Sequence, residues 1–531
     1  MAKFNTLGVM LDMSRNAVMN VDGLKKYLFL LKKMGYNCVM LYTEDTYEVN
    51  NEPYFGYMRG KYTKAEIKEI DAYALSLGIT LIPCIQTLAH VNAAIRWKQF
   101  PVDCDDIMLV DDERTYEFID NMFATVAECF TTKKVHIGMD EAHMLGRGKH
   151  LDIHGYEPVD TIMKRHLNRV CEIAKKYDFE PMIWSDMFFR PWNNGGYYTG
   201  KVQMPKEYVD ALPENVTPVY WDYYQTDEQK YDDMIFNHKQ LSKDFWFAGG
   251  AWSWRGFAPF NKFTLLSMLP AIDACKKNKV KNVFMTLWGD DGGECSPFTL
   301  LPSLFYIAQY SKGVTDENII KAKFKRLTGI DYDDFIMLDL ANEVTGEYNS
   351  TKNPCKYMLF SDCFNGYLDY TVRDGGSEIY KKYADKLYKI AKKSRKYGYL
   401  FDTQAKLCDA LSIKYELGVK TRKAYNDNNK QELLRLAKED YTIATKRIDA
   451  FAKAFEKQWF YHNKTSGFDV QDIRLGGLIY RLNACKKRLL DYASGKITRI
   501  EELEGDILPF GKEGKSIVKT SYKKMASTNI M

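Results

Sequence analysis

The chain lacks most of the features that would place it at a glance. Its 11 cysteines are scattered, odd in number and form no CxxC pair. That excludes a metal-finger spacing and argues against a full disulfide framework. Such usage suits reduced thiols in the cytoplasm. No stretch approaches the ~18 consecutive apolar residues of a membrane span. The opening MAKFNTLGVMLDMSRN has one lysine and then a short apolar run broken by Asp12, too short and too polar for a signal peptide. Net charge is +5 over 531 residues, too weak a bias to point to nucleic acid. No low-complexity segment and no repeat of roughly 20–50 residues is visible. Histidines number only 8, and His136, His143, His150 and His154 fit no common zinc spacing. Neither a metal nor a cofactor is expected.

What is present is aromatic. Phe, Trp and Tyr make up 14% of the chain, with 37 Tyr and 9 Trp. Such wealth suits stacking on sugar rings, though cores and interfaces use it too. Hydrophobic residues at 46% and charged residues at 27% are ordinary for a globular protein, and the length suggests two or more domains.

Short apolar runs recur at Leu7–Met13, Cys38–Tyr42, Ile79–Ile85, Val135–Met139, Pro181–Trp184, Val216–Trp221, Phe245–Ala248 and Val280–Leu287. Amphipathic stretches separate most of them, such as Leu24–Met34 with Leu24, Tyr27, Leu28 and Leu31 on one face. The interval from Trp184 to Val216 is irregular, with room for at most one short helix. Runs apolar on both faces and alternating with helices predict a parallel sheet buried by helices. Eight of them match a (β/α)8 barrel. The rival, an open doubly wound sheet, would carry a glycine fingerprint after its first strand, where LDMSRN has none. Strand signals nearly vanish after about residue 312, and long helical patterns take over. The expected division is a barrel at 1–312 and an α-helical domain at 313–531, ending in a polar tail from Gly511 to Met531.

In such a barrel the chemistry sits at the carboxyl ends of the strands. Those ends supply Asp12 and Arg15, Glu44 and Asp45, His90 just beyond Gln86, Asp140 and Glu141, Trp184 and Asp186, Tyr220 to Tyr223, Trp252 with Trp254 and Arg255, and Trp288 with Asp290, Asp291 and Glu294. Acids and aromatic rings at nearly every end fit a deep monosaccharide pocket. The adjacent acids Asp140 and Glu141 repel each other. That raises the proton affinity of one carboxyl, as an acid catalyst at neutral pH requires. His136 and His90 are candidates for the network that holds the pair.

Several of these motifs resemble glycoside hydrolase family 20, the β-N-acetylhexosaminidases. HIGMDE at His136–Glu141 resembles its H-x-G-x-D-E signature. LDMSR at Leu11–Arg15 resembles its first-strand L-D-x-x-R, TED at Thr43–Asp45 its T-D-D, Tyr220-Trp221-Asp222 its Y-x-D, and Trp288-Gly289-Asp290 its W-x-E with Asp for Glu. The resemblance covers roughly residues 5 to 310. Because the first barrel strand follows at once on Met1, the family's usual N-terminal α/β domain is not expected, and Thr87-Leu88-Ala89-His90 stands where P-G-H is usual.

The resemblance implies an exo-acting, retaining hydrolase in which the substrate's own acetamido oxygen attacks the anomeric carbon. Glu141 would be the general acid and base, Asp140 would stabilise the oxazolinium intermediate, and Tyr220 would align the acetamido oxygen. Arg15 and Asp290 would bind ring hydroxyls, with Glu44, His90 and Asp222 among the substrate contacts, although Asp222 could instead serve only to support Tyr220. Trp184, Trp252 and Trp288 would line the pocket. The implied partner is an oligosaccharide or glycoconjugate ending in β-linked N-acetylhexosamine. Neither nucleic acid nor membrane is expected, and a homodimer is an open option for the helical domain. The alternatives are a barrel glycosidase using two carboxylates on sugars without an acetamide, and a non-catalytic sugar-binding protein.

Overall fold

A computed structural model of the chain describes residues 4–346, 351–510 and 521–529. The tail expected from Gly511 lies in part outside the described residues. Two compact units emerge, and the division is discontinuous. The first takes Met1–Ala251, Thr264–Trp288 and Ser303–Asp316, and the second takes Trp252–Phe263, Gly289–Pro302 and Glu317–Met531. The loops that follow the seventh and eighth strands therefore group with the helical part, which a single boundary at residue 312 does not capture.

In the first unit, apolar runs become β1 (Thr6–Asp12), β2 (Cys38–Tyr42), β3 (Thr80–Cys84), β4 (Lys134–His136), β5 (Glu180–Trp184), β6 (Thr217–Trp221), β7 (Trp246–Gly250) and β8 (Asn282–Leu287). All neighbours pair in parallel, and β8 returns to β1 to close a (β/α)8 barrel. Alternate residues point inward. Met10, Met40, Ile82, Cys84, Met182, Val219, Ala248 and Phe284 fill the interior, with Tyr42 and Trp184 above them and Trp221 and Trp288 packed on top. Helices such as Val21–Met34 and Val159–Lys176 cover the outside with their apolar faces. The helix Lys64–Ser76 starts in a reciprocal cap, Thr63 accepting from the Glu66 N–H and Glu66 from the Thr63 N–H. After β5 the expected irregular stretch holds two short elements, Asp186–Phe188 and Lys206–Val209.

The second unit is helical, with long helices at Gly376–Lys393, Gly398–Lys414, Asp440–His462 and Asp469–Ala493. Lys356 is fully buried there and pairs with Glu294 at 2.5 Å and Asp291 at 3.0 Å, while Arg474 pairs with the same two acids at 3.0 and 3.4 Å. Two cations against two carboxylates leave the cluster neutral, as burial of charge requires. Among the described residues, no helix is long and apolar enough to cross a membrane.

Candidate active site

β4 is short because the backbone leaves the strand early. Gly138 has φ +74°, Met139 +68° and Glu141 +52°. Glycine enters that left-handed region freely, whereas Met and Glu do so at a cost of about 1–2 kcal/mol each. A Cβ on Gly138 would collide with the Gln86 amide. Two side chains hold the turn in place. Gln86 Oε1 accepts from the Met139 N–H at 3.2 Å, and Asp186 Oδ2, just beyond β5, accepts from the Glu141 N–H at 3.1 Å. Glu44 and His90 are also left-handed, at +44° and +58°. Such outliers gather where surrounding contacts over-determine the chain, commonly at functional sites.

The turn separates the two acids by depth. The Asp140 side chain is 13% exposed and that of Glu141 is 45% exposed. Asp140 accepts from Gln86 Nε2 at 3.0 Å and lies 3.3 Å from His90 Nε2. Burial alone would raise its proton affinity, but the His90 charge and the Gln86 amide outweigh burial and hold Asp140 below the usual carboxylate range. Burial also opposes the charge on His90, yet the Asp140 carboxylate carries the imidazole up to about 10. Glu141 moves the other way. Burial first, then the Asp140 and Asp186 charges, push it above the usual range, against His90 and Arg190. His90 Nε2 and Arg190 Nη2 each lie 3.8 Å from a different oxygen of Glu141.

From this pair a continuous polar chain runs around the barrel mouth. Gln86 Nε2 also donates to the Tyr42 hydroxyl at 2.9 Å, Tyr42 donates to Glu44 at 2.9 Å, and Glu44 pairs with Arg15 at 3.0 Å. Arg15 Nε reaches Asp12 at 3.6 Å. In the opposite direction, Arg190 Nε bonds Asp186 at 2.9 Å, and Trp221 Nε1 donates to the other Asp186 oxygen at 3.5 Å. Trp184 and Trp288 sit over the interior with centroids 6.1 Å apart, and the edge of Trp288 meets Tyr42 at 4.8 Å. The buried indole N–H of Trp184 has no protein partner, which leaves a donor for a bound ligand.

The structure thus brings Arg15, Glu44, His90, Asp140, Glu141, Trp184 and Trp288 together. Two expectations are corrected. Tyr220 faces outward, because the two-residue period of β6 that points Val219 and Trp221 inward points Tyr220 at the helices. Its ring stacks on His238 at 4.5 Å and meets Phe247 at 5.2 Å, and its hydroxyl donates to Asp222 at 3.0 Å. Asp222 is fully buried, also accepts from the Tyr224 N–H, and is pushed by burial up to about 6. It shapes the turn instead of lining the pocket. The inward tyrosine is Tyr223, which stacks on Trp221 at 5.5 Å and lies against Trp288 and Thr286 within the field of Asp140. The same alternation, continued past the end of the strand, is the sequence signal for it. His136 also stays outside the charged chain. Burial lowers it to about 3, so it is neutral, and Nδ1 accepts from the Gly138 N–H at 3.1 Å.

Trp252 and Asp290 belong to the second unit. Trp252 is buried and stacks on Trp254 at 4.1 Å with Arg255 over its ring, and Asp290 is exposed. Sequence reasoning gave Gln86 and Asp186 no role and missed Arg190. The four-residue step from Asp186 to Arg190 is the one hint of their pairing.

Among the described residues, one group has metal-ligating side chains in reach of each other, Asp111, His150 and His154. Arg165 already binds Asp111 through both carboxylate oxygens and reaches Glu157 at 2.9 Å, while Glu157 holds His150 at 2.8 Å. A cation already fills that cluster.

Comparison with known proteins gives the site its context. Residues 4–233 match the family model described as "Glycosyl hydrolase family 20, catalytic domain", and residues 333–521 match "Glycoside Hydrolase 20C C-terminal domain". The chain is 38% identical over 96 residues to a beta-hexosaminidase of Vibrio furnissii, covering 15% of this chain and 16% of that protein. It is 25% identical over 227 residues to hexosaminidase D of Homo sapiens, covering 39% of this chain and 43% of that protein. The matches thus span between about a sixth and about half of these relatives' lengths. A solved Vibrio harveyi GH20 exo-β-N-acetylglucosaminidase in complex with N-acetylglucosamine aligns at 17% identity and a TM-score of 0.47, over 62% of this chain and 58% of that one.

Proposed function

We propose that this chain, which belongs to glycoside hydrolase family 20, is an exo-acting β-N-acetylhexosaminidase that removes terminal N-acetylglucosamine or N-acetylgalactosamine with help from the substrate's own acetamide. One observation carries the proposal: two adjacent acids sit at different depths and their proton affinities are shifted in opposite directions. Asp140 is buried and kept ionised by His90 and Gln86, while Glu141 is half open and inclined to hold its proton.

The chemistry follows from that split. The acetamido oxygen attacks the anomeric carbon while Glu141 gives its proton to the glycosidic oxygen, and the bond to the leaving group breaks. The positive charge of the resulting oxazolinium falls beside the Asp140 carboxylate, which also accepts from the acetamido N–H. Water then adds to the anomeric carbon as the Glu141 carboxylate takes its proton, and the bond from that carbon to the acetamido oxygen breaks, restoring the acetamide. Tyr223 takes the aligning role expected of Tyr220, since its hydroxyl lies on the pocket side with Trp288. Arg15 and Glu44, paired at 3.0 Å, offer a donor and an acceptor to ring hydroxyls of the terminal sugar. Eleven free thiols, ten of them buried, support a reducing, cytoplasmic setting.

The test is hydrolysis of 4-nitrophenyl N-acetyl-β-glucosaminide beside the plain β-glucoside, for wild type and Asp140→Asn. Turnover of the acetamido substrate alone, largely lost in the variant, is the expected result. Equal turnover of the plain glucoside would refute acetamide participation, and turnover of neither would leave a binding protein.

A further inference from the structure

The loops after β2 and β3 carry an aromatic cluster that the reaction does not use. Tyr54 and Tyr57 are 43% and 42% exposed, and Trp97 is half-buried between them and the protein. Tyr57 meets Trp97 edge-on at 5.2 Å, Tyr54 meets Tyr57 at 6.0 Å, and Tyr54 lies tilted to Trp97 at 6.2 Å. The Trp97 indole N–H has no protein partner. Three rings in mutual contact, with two phenol hydroxyls at their exposed edges, form an amphipathic surface. Aliphatic docking patches lack those polar edges.

This surface is built in place. Tyr47 and Tyr62 bridge the neck of the first loop, with the Glu48 N–H bonded to Tyr62 O at 2.9 Å. Beneath the rings, buried Glu52 takes both Arg114 nitrogens at 2.8 and 2.6 Å, and Phe55 packs on Tyr47 and Phe118. Arg59 ties the loop to Asp45 at 3.2 Å and to Asn16 at 2.9 Å. Exposed aromatics held this firmly need a reason other than packing, and rigid rings bind at low entropic cost.

Position supplies the occupant. The two loops leave the barrel beside Glu44 and His90, on the face where the acids open. Arg59, two residues past Tyr57, bonds Asp45 next to Glu44 at 3.2 Å, and Trp97 follows His90 across one short helix, Asn92–Ile95, so each loop ties the platform to the pocket rim. We infer that Tyr54, Tyr57 and Trp97 bind a pyranose ring of the substrate on the leaving-group side of the scissile bond, stacking on its C–H face. The inference rests on the reading of the pocket as an exo-N-acetylhexosaminidase site.

The experiment compares methyl N-acetyl-β-glucosaminide with N-acetylglucosamine trisaccharides in β-1,4 and β-1,3 linkage, for wild type, Trp97→Ala, Trp97→Phe and Tyr57→Ala. The ratio of kcat/KM for trisaccharide over methyl glycoside should fall roughly five- to tenfold in the two alanine variants. The loss should appear in KM, and Trp97→Phe should restore most of it. A ratio unchanged for both linkages would overturn the inference, as would equal loss on the methyl glycoside. If wild type turns over nothing, the pocket reading fails, and calorimetric trisaccharide binding decides the platform alone. Weaker binding in Trp97→Ala would support it, and equal or absent binding would refute it.

Discussion

Replacing Arg190 by glutamine should move the alkaline limb of the kcat/KM profile upward by about one pH unit. A general acid works only while protonated, so that limb follows the proton affinity of Glu141 in the free enzyme. Arg190 Nη2 lies 3.8 Å from Glu141 Oε1, where it favours the charged form. At that distance the attraction is about 1 kcal/mol in bulk water and about 4 kcal/mol at an effective dielectric constant of 20. The Glu141 side chain is 45% exposed, so the lower figure applies, and a pKa unit is about 1.4 kcal/mol. The second consequence has the same sign. Asp186 loses its cation while a glutamine amide still donates to it, and an uncompensated Asp186 charge raises Glu141 further. Arg190→Lys should keep the limb near its original place. The assay is a set of initial rates on the 4-nitrophenyl substrate across pH, after thermal melts confirm that the variants fold. An alkaline limb that stays put or moves down would refute the account of how Glu141 holds its proton.

Other outcomes follow from the same geometry. Tyr223→Phe should lower kcat on the acetamido substrate by about tenfold or more, while Tyr220→Phe should leave kinetics nearly intact and cost about 1–2 kcal/mol of stability through buried Asp222; kinetics and melts on both variants separate the two roles. Lys356→Met strands Glu294 and Asp291 against Arg474 alone and should cost about 3–5 kcal/mol, whereas Lys356→Met with Glu294→Gln should melt higher than the single variant. Burial lowers His136 and His238 to about 3 and His166 to about 4. A lowered imidazole binds fewer protons folded than unfolded, so its contribution is complete above pH ~6.5 and is lost as the pH falls toward those values. Melting temperature should therefore drop steeply below pH ~6, and His238→Gln should flatten the curve.

The barrel was legible because its strands are apolar on both faces and its helices are not. β4 was less so. His136-Ile137-Gly138-Met139 reads as strand, yet the chain departs at Gly138, because the left-handed run is fixed by Gln86 and Asp186, which are distant in sequence. Tyr220 shows the limit of matching a motif by position. The triplet Tyr220-Trp221-Asp222 resembles the family pattern, but the pleat of β6 sends Trp221 inward and makes Tyr223 the pocket tyrosine. The ionisable pair itself was visible as two adjacent acids. Their division of labour was visible only as a need, since His90, Gln86 and Arg190 set it through contacts that no local pattern encodes.

Asp186 sits on one loop and fixes the backbone of another. Barrel enzymes are often redesigned by exchanging single loops, on the premise that each is a separate cassette. Here the loops after β4 and β5 are one cassette. A graft that brings a foreign loop after β5 without an acceptor at position 186 removes the peg on which Glu141 hangs, even though every residue after β4 is kept. Inserting or deleting a residue between Trp184 and Arg190 would do the same. Libraries that vary leaving-group preference should move these two loops together, keep Glu44, Gln86 and His90, and vary the loops after β2 and β3 only beyond those residues.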